Sequence, residues 1–117
     1  MKLTPSDYGG AVAVDGYGPG FFRVGGRVYQ GPVIVSAGGA VAWDGLDDRA
    51  GLMALAGQVD VLFLGTGATV AHAPKDLVAA LRDLGVAIEA MASPTAARTY
   101  NVTLSEGRRV ACALLPL

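Results

Sequence analysis

Val59-Asp-Val-Leu-Phe-Leu-Gly-Thr-Gly67 decides the fold. Val61-Leu-Phe-Leu64 is an unbroken apolar run too short for a buried helix. Such a run suits a strand covered on both faces, as in a parallel sheet. It stops at Gly65-Thr66-Gly67, a turn of two glycines around a hydroxyl. Working outward, the run is flanked on both sides by helical spacing. Upstream, Leu46, Ala50, Met53, Ala54 and Gly57 recur on one helical face, with Asp47 and Asp48 suited to its N-terminal dipole. Downstream, Leu77, Val78, Leu81 and Leu84 mark a second helix, opened by Pro74 and closed by Gly85.

The pattern then repeats. Val86-Ala-Ile-Glu-Ala90 reads as a strand. Ser93-Pro94 reads as a helix start, with Ser93 as N-cap and Pro94 at the first position. Ala97, Tyr100, Asn101 and Leu104 share a face of that helix. Gly107 suits its end, and Val110 to Leu115 reads as the last strand. Strand–helix–strand units imply parallel neighbours with right-handed crossovers.

The N-terminal half has a different rhythm. Val12-Ala-Val14 precedes Asp15-Gly-Tyr-Gly-Pro-Gly20, which reads as a turn. Phe21–Val24 and Arg27–Tyr29 flank Gly25-Gly26, a two-residue hairpin signal. Val33–Val35 and Ala40–Trp43 flank a second turn at Ala37-Gly38-Gly39. The expectation is a three-layer α/β fold on a mixed sheet, with β-hairpins in the N-terminal half and a βαβαβ-type C-terminal half. Its 117 residues make a single domain, 1–117.

Composition narrows the function classes. Nine basic residues balance ten acidic ones without any block of like charge. A nucleic-acid binder needs a basic face to displace counterions, so that class is not expected. Cys112 is the only cysteine and His72 the only histidine. A disulfide within the chain and a Cys-rich zinc site are therefore excluded, and no metal or cofactor is expected. Cys112 sits in Val110-Ala-Cys-Ala-Leu-Leu115 and reads as a buried small hydrophobe. Met1-Lys-Leu-Thr-Pro5 leads into Ser6-Asp7, which is neither a secretory nor a mitochondrial leader. Every long uncharged stretch is broken by Gly or Pro, so no membrane span and a cytoplasmic location are expected.

Chemistry-bearing residues concentrate in two places. Gly65, Thr66 and Gly67 end a parallel-type strand, where ligands of open α/β sheets gather. The third glycine and immediate helix of a dinucleotide fingerprint are missing, as is the Gly-Lys-Thr of a phosphate loop. Two readings stand open: a tight turn after a buried strand, or a backbone cradle for an anion. Arg98, Tyr100 and Asn101 lie within one turn of the following helix. Asn101 should be buried and bond backbone near another strand end, because it shares the Ala97/Leu104 face. Alternatively, Arg98 and Asn101 join Thr66 and Gly67 in a small anion-accepting cleft, or Arg98 faces solvent while Tyr100 closes the edge. Glu106 can pair with Arg108 or Arg109 at the helix exit. No nucleophile-and-base arrangement is present.

The order and spacing of Val61-Leu-Phe-Leu-Gly-Thr-Gly67, the Gly85-to-Met91 strand, Ala97-Arg-Thr-Tyr-Asn101 and Glu106-Gly-Arg-Arg-Val110 resemble one family across essentially the whole chain. It is the small-domain family that includes mitochondrial complex I assembly factor three and many uncharacterised bacterial and archaeal proteins. The resemblance implies a three-layer α/β fold. It implies an assembly or binding role without catalysis, with a subunit of a membrane respiratory complex as partner. It supplies no agreed catalytic residues. The alternative carried with it is a protein or enzyme that binds an anionic small molecule at Gly65–Gly67 and Arg98/Asn101.

Overall fold

In the computed structural model, residues 10–117 are described. The leader reading of Met1 to Asp7 lies outside them. Eight strands and three helices follow in the order β1 (Val14–Gly18), β2 (Phe21–Val24), β3 (Arg27–Gln30), β4 (Val33–Ser36), β5 (Gly39–Ala42), α1 (Arg49–Met53), β6 (Val61–Thr66), α2 (Lys75–Asp83), β7 (Ala87–Met91), α3 (Ser93–Ser105) and β8 (Val110–Leu115).

They build two sheets. β1-β2-β3 form an antiparallel three-stranded sheet, and the other five strands form a mixed sheet in the order β5-β4-β8-β6-β7. β6 runs parallel to both β7 and β8, and β4 runs antiparallel to β8 and β5. The apolar run thus lies inside the sheet, as its lack of alternation requires.

Strand alternation splits the core in two. Val33, Val35, Phe63, Val110, Cys112 and Leu114 face Ala96, Ala97, Tyr100 and Leu104 of α3, together with Phe22 and Val24 of the small sheet. Ile34, Leu62, Leu64, Ala111 and Ala113 face the other way, towards Leu52, Leu55, Leu77 and Leu81. Three layers result: α1 and α2, the five-stranded sheet, then α3 with the small sheet. The sheet's α1/α2 face has small side chains on β8, Ala111 and Ala113.

Three local readings are corrected. Asp15-Gly-Tyr-Gly18 is strand, with the turn confined to Pro19-Gly20. The register slips between Val14 and Gly16, so Asp15 sits in a bulge where its carboxylate accepts the Gly26 N–H at 2.6 Å. The first helix is shorter than its periodicity suggests. Beyond Met53 the chain tightens into three-residue bonds (Leu55 to Leu52, Ala56 to Met53, Gln58 to Leu55) and ends at Gly57, whose φ is +78°. Arg109 does not pair with Glu106. Its guanidinium donates to the carbonyls of Gly57 at 2.8 Å and Gln58 at 3.2 Å, with Asp60 at 3.9 Å.

Candidate functional site

α3 crosses the sheet from the carboxyl end of β6 to the small sheet, and the polar residues singled out above lie along it. At its start, Ser93 is fully buried. It lies one residue inside the helix, whose cap position is Ala92, and it makes no capping bond there. Its hydroxyl instead reaches sideways. Oγ accepts the Gly67 N–H at 2.9 Å and donates to the Leu115 carbonyl at 2.6 Å. The Ser93 N–H donates to the Gly67 carbonyl at 2.8 Å. One serine therefore joins the end of β6, the end of β8 and the start of α3.

This junction explains both glycines. A Cβ on Gly65 would stand 2.7 Å from Ser93 Oγ, 2.8 Å from Ser93 Cα and 2.9 Å from Leu114 Cδ2. Only glycine lets helix and strand approach so closely. Gly67 has a φ of +99°, in the left-handed region. Thr66 is occupied too. Its hydroxyl donates to the Thr69 carbonyl at 2.8 Å, lies 3.2 Å from the Met91 carbonyl and accepts the Ala71 N–H at 2.9 Å.

Two turns further along, Asn101 faces the edge of the small sheet. Its Nδ2 donates to the Val14 carbonyl at 2.8 Å, and its Oδ1 accepts the Val14 N–H at 3.0 Å. The side-chain amide takes the place of a neighbouring strand's peptide at the first residue of β1. Asn101 is half-buried, not buried as its place on the Ala97/Leu104 face suggests, because its amide reaches past the helix to the first residue of β1. Tyr100 is fully buried, and its hydroxyl donates to the Val12 carbonyl at 2.6 Å. Together these two side chains strap the small sheet to α3.

Arg98 is exposed, with one contact to Thr95 Oγ1 at 3.4 Å. It shares a shallow cleft of about 170 Å³ with Asn101, Ala97 and Val14 to Tyr17. Gly65, Thr66 and Gly67 do not line that cleft. Asn101 lies eight residues beyond Ser93, about 12 Å along the helix axis. The structure thus brings Arg98 to Asn101, and Gly65 and Gly67 to Ser93. Asp15 lines the same cleft, and its carboxylate accepts the Gly26 N–H.

The residue that sequence reading missed is Ser93's cross-linking role. Ser before Pro signals a cap, and its true partners lie 22 and 26 residues away. His72 is exposed in the loop before α2. Cys112 is fully buried in β8, and burial pushes its thiol well above its ordinary value, which suppresses the thiolate. Asp76 pairs with Arg49 at 2.8 Å, and that hydrogen bond holds its carboxyl below the usual range. Among the described residues, no three of His, Cys, Asp and Glu converge as metal ligands, and no helix is long and apolar enough to cross a membrane.

Comparison with known proteins decides the family. The profile described as "Protein of unknown function (DUF498/DUF598)" matches residues 14–115. The chain belongs to the DUF498 family. An uncharacterized family relative from Rhodobacter capsulatus is 56% identical over 117 residues, covering 100% of this chain and 94% of the relative. NADH dehydrogenase [ubiquinone] 1 alpha subcomplex assembly factor 3 of Danio rerio is 26% identical, covering 99% of this chain and 71% of that protein. A Bordetella pertussis solution structure described as an Mth938-like domain superposes with a TM-score of 0.79. It is 28% identical and covers 99% of this chain and 92% of that one. The fold is therefore that of the Mth938-like DUF498 proteins.

Proposed function

We propose that this chain is a non-catalytic binding factor that assists assembly of a respiratory NADH dehydrogenase from the cytoplasmic side of the membrane, with a membrane-complex subunit as its partner. The observation that carries this reading is the match to the zebrafish assembly factor over 99% of the chain. The geometry supports it. Ser93, Thr66, Tyr100 and Asn101 are all bonded to backbone of the protein itself. Those side chains are thereby committed to the fold, which leaves the surface to do the work of recognition. The test is native electrophoresis of membranes from the host carrying a tagged copy, beside a deletion strain. Expected are co-migration of the tag with partly assembled NADH dehydrogenase and loss of the mature complex on deletion. Normal levels of the complex without the chain, and no co-migration, would overturn it.

A second reading rests on the exposed Arg98 guanidinium beside Asn101. In it a small anion binds at Arg98, in the cleft beside Asn101 that Gly65, Thr66 and Gly67 do not line. Ligand binding raises stability by mass action. Inorganic phosphate should then raise the melting temperature of the native chain and leave that of Arg98→Ala unchanged. No shift in the native chain rejects this reading.

A further inference from the structure

Among the described residues, β5 ends the five-stranded sheet and pairs only with β4. Exposed edge strands invite pairing with another chain, and proteins blunt them with charges, bulges, proline or covering groups. The other edges carry such devices. β7 presents the exposed Glu89, and β3 the exposed Arg27. β1 has the Asp15 bulge, and Asn101 occupies Val14. β5 is Gly39-Ala-Val-Ala42 and carries none of these.

Its register shows which backbone groups turn away from β4. Trp43 N–H donates to the Pro32 carbonyl, and Ile34 stands opposite Val41, Ser36 opposite Gly39. Hydrogen-bonded pairs alternate along an antiparallel ladder. The groups of Gly39, Val41 and Trp43 therefore turn inward to β4, and those of Ala40 and Ala42 turn outward. Val41 projects from the α1 face of the sheet, the face of Ile34, and is 59% exposed. Beside it runs a groove of about 290 Å³ between β4–β5 and α1, lined among others by Ile34, Gly51, Ala54 and Leu55.

We propose that β5 pairs antiparallel with β5 of a second copy of this chain, on a two-fold axis passing between their Val41 residues. This register is self-complementary. Ala40 lies opposite Ala42 of the second copy, and Ala42 opposite its Ala40. Each of these pairs exchanges two backbone hydrogen bonds, which uses all four outward groups on each strand. The two Val41 residues form the close, non-hydrogen-bonded pair and cover each other's exposed surface. Asp44 falls opposite Gly38, so no like charges meet. The result is a ten-stranded sheet closed by an isologous contact, with α1 of each copy on the same face. Another protein's strand could satisfy the backbone groups, but the matched Val41 pair and the Asp44–Gly38 register favour the second copy.

The contact is small, so association is weak and must be measured at high protein concentration. The test is sedimentation equilibrium of the full chain from about 10 to about 500 µM, a range suited to weak interfaces. Expected is a reversible shift from 11.8 kDa towards twice that mass. Val41→Lys and Val41→Glu should each stay monomeric, since each sets like charges face to face. Mixed in equal amounts they should form a heterodimer. Thermal melts of both variants at low concentration, matching the native chain, show that the fold is intact. A native chain that is monomeric throughout, or a dimer that persists in Val41→Lys, overturns the proposal. A dimer lost in both variants without recovery on mixing overturns the two-fold register.

Discussion

The two ends of α3 use polar groups in opposite settings. At the start, Ser93 is fully buried, shares its one hydroxyl between two strand ends and forces a glycine at position 65. Two turns on, Asn101 is half-buried and uses its side-chain amide to replace one missing strand neighbour. The first end fixes how the helix seats on the main sheet. The second decides whether the small sheet stays attached. Losing a partner inside a core leaves backbone groups that water cannot reach, whereas at an open edge water can substitute.

Gly65→Ala should give the largest loss. Its methyl meets Ser93 Cα and Leu114 as well as Ser93 Oγ, so it should destabilise by about 2–3 kcal/mol in denaturant unfolding. The double variant Gly65→Ala/Ser93→Ala sharpens the point, because Ser93 Cα remains in the way. Restoration of native stability in the double variant would mean that the hydroxyl alone, not the backbone, demands the glycine. Ser93→Ala by itself should cost about 2 kcal/mol, since the Gly67 N–H and the Leu115 carbonyl both lose a buried partner.

Asn101→Ala should cost less, about 1–2 kcal/mol, because the Asn101 amide is only half-buried and water can take over part of its role. A loss equal to or above that of Ser93→Ala would break the contrast between the two ends. Arg98→Ala should change stability by no more than about 0.5 kcal/mol, as expected for an exposed side chain with one long contact. A larger drop would mean that Arg98 is part of the strap.

Most of the architecture was legible because its signals are local. The apolar run of β6 has no alternation, Gly25-Gly26 makes a two-residue hairpin with both φ values positive, and Pro94 and Gly107 bracket α3. β1 was hidden because Asp, Gly and Pro disfavour strand, and only the pairing with Phe21–Val24 holds Asp15 to Gly18 extended. The long-range polar contacts were legible in kind but not in partner. Helical spacing put Asn101 on the inner face and predicted a bond to backbone at another strand's end, and that backbone is Val14. Nothing local to Ser93 points to Leu115. Spacing also put Arg98 beside Asn101, but it could not report that Gly65, Thr66 and Gly67 do not line the cleft those two share.

Native-state amide hydrogen exchange at Val14 and Gly67 tests the central claim most directly, because it reads each junction separately. The claim is that the polar residues of α3 serve as two independent structural ties. In the native chain both amides should be protected. In Asn101→Ala, the Val14 amide should lose its protection while Gly67 keeps its own beyond the change in global stability. Rapid exchange of Val14 in the native chain, or equal loss at both amides in Asn101→Ala, would contradict it.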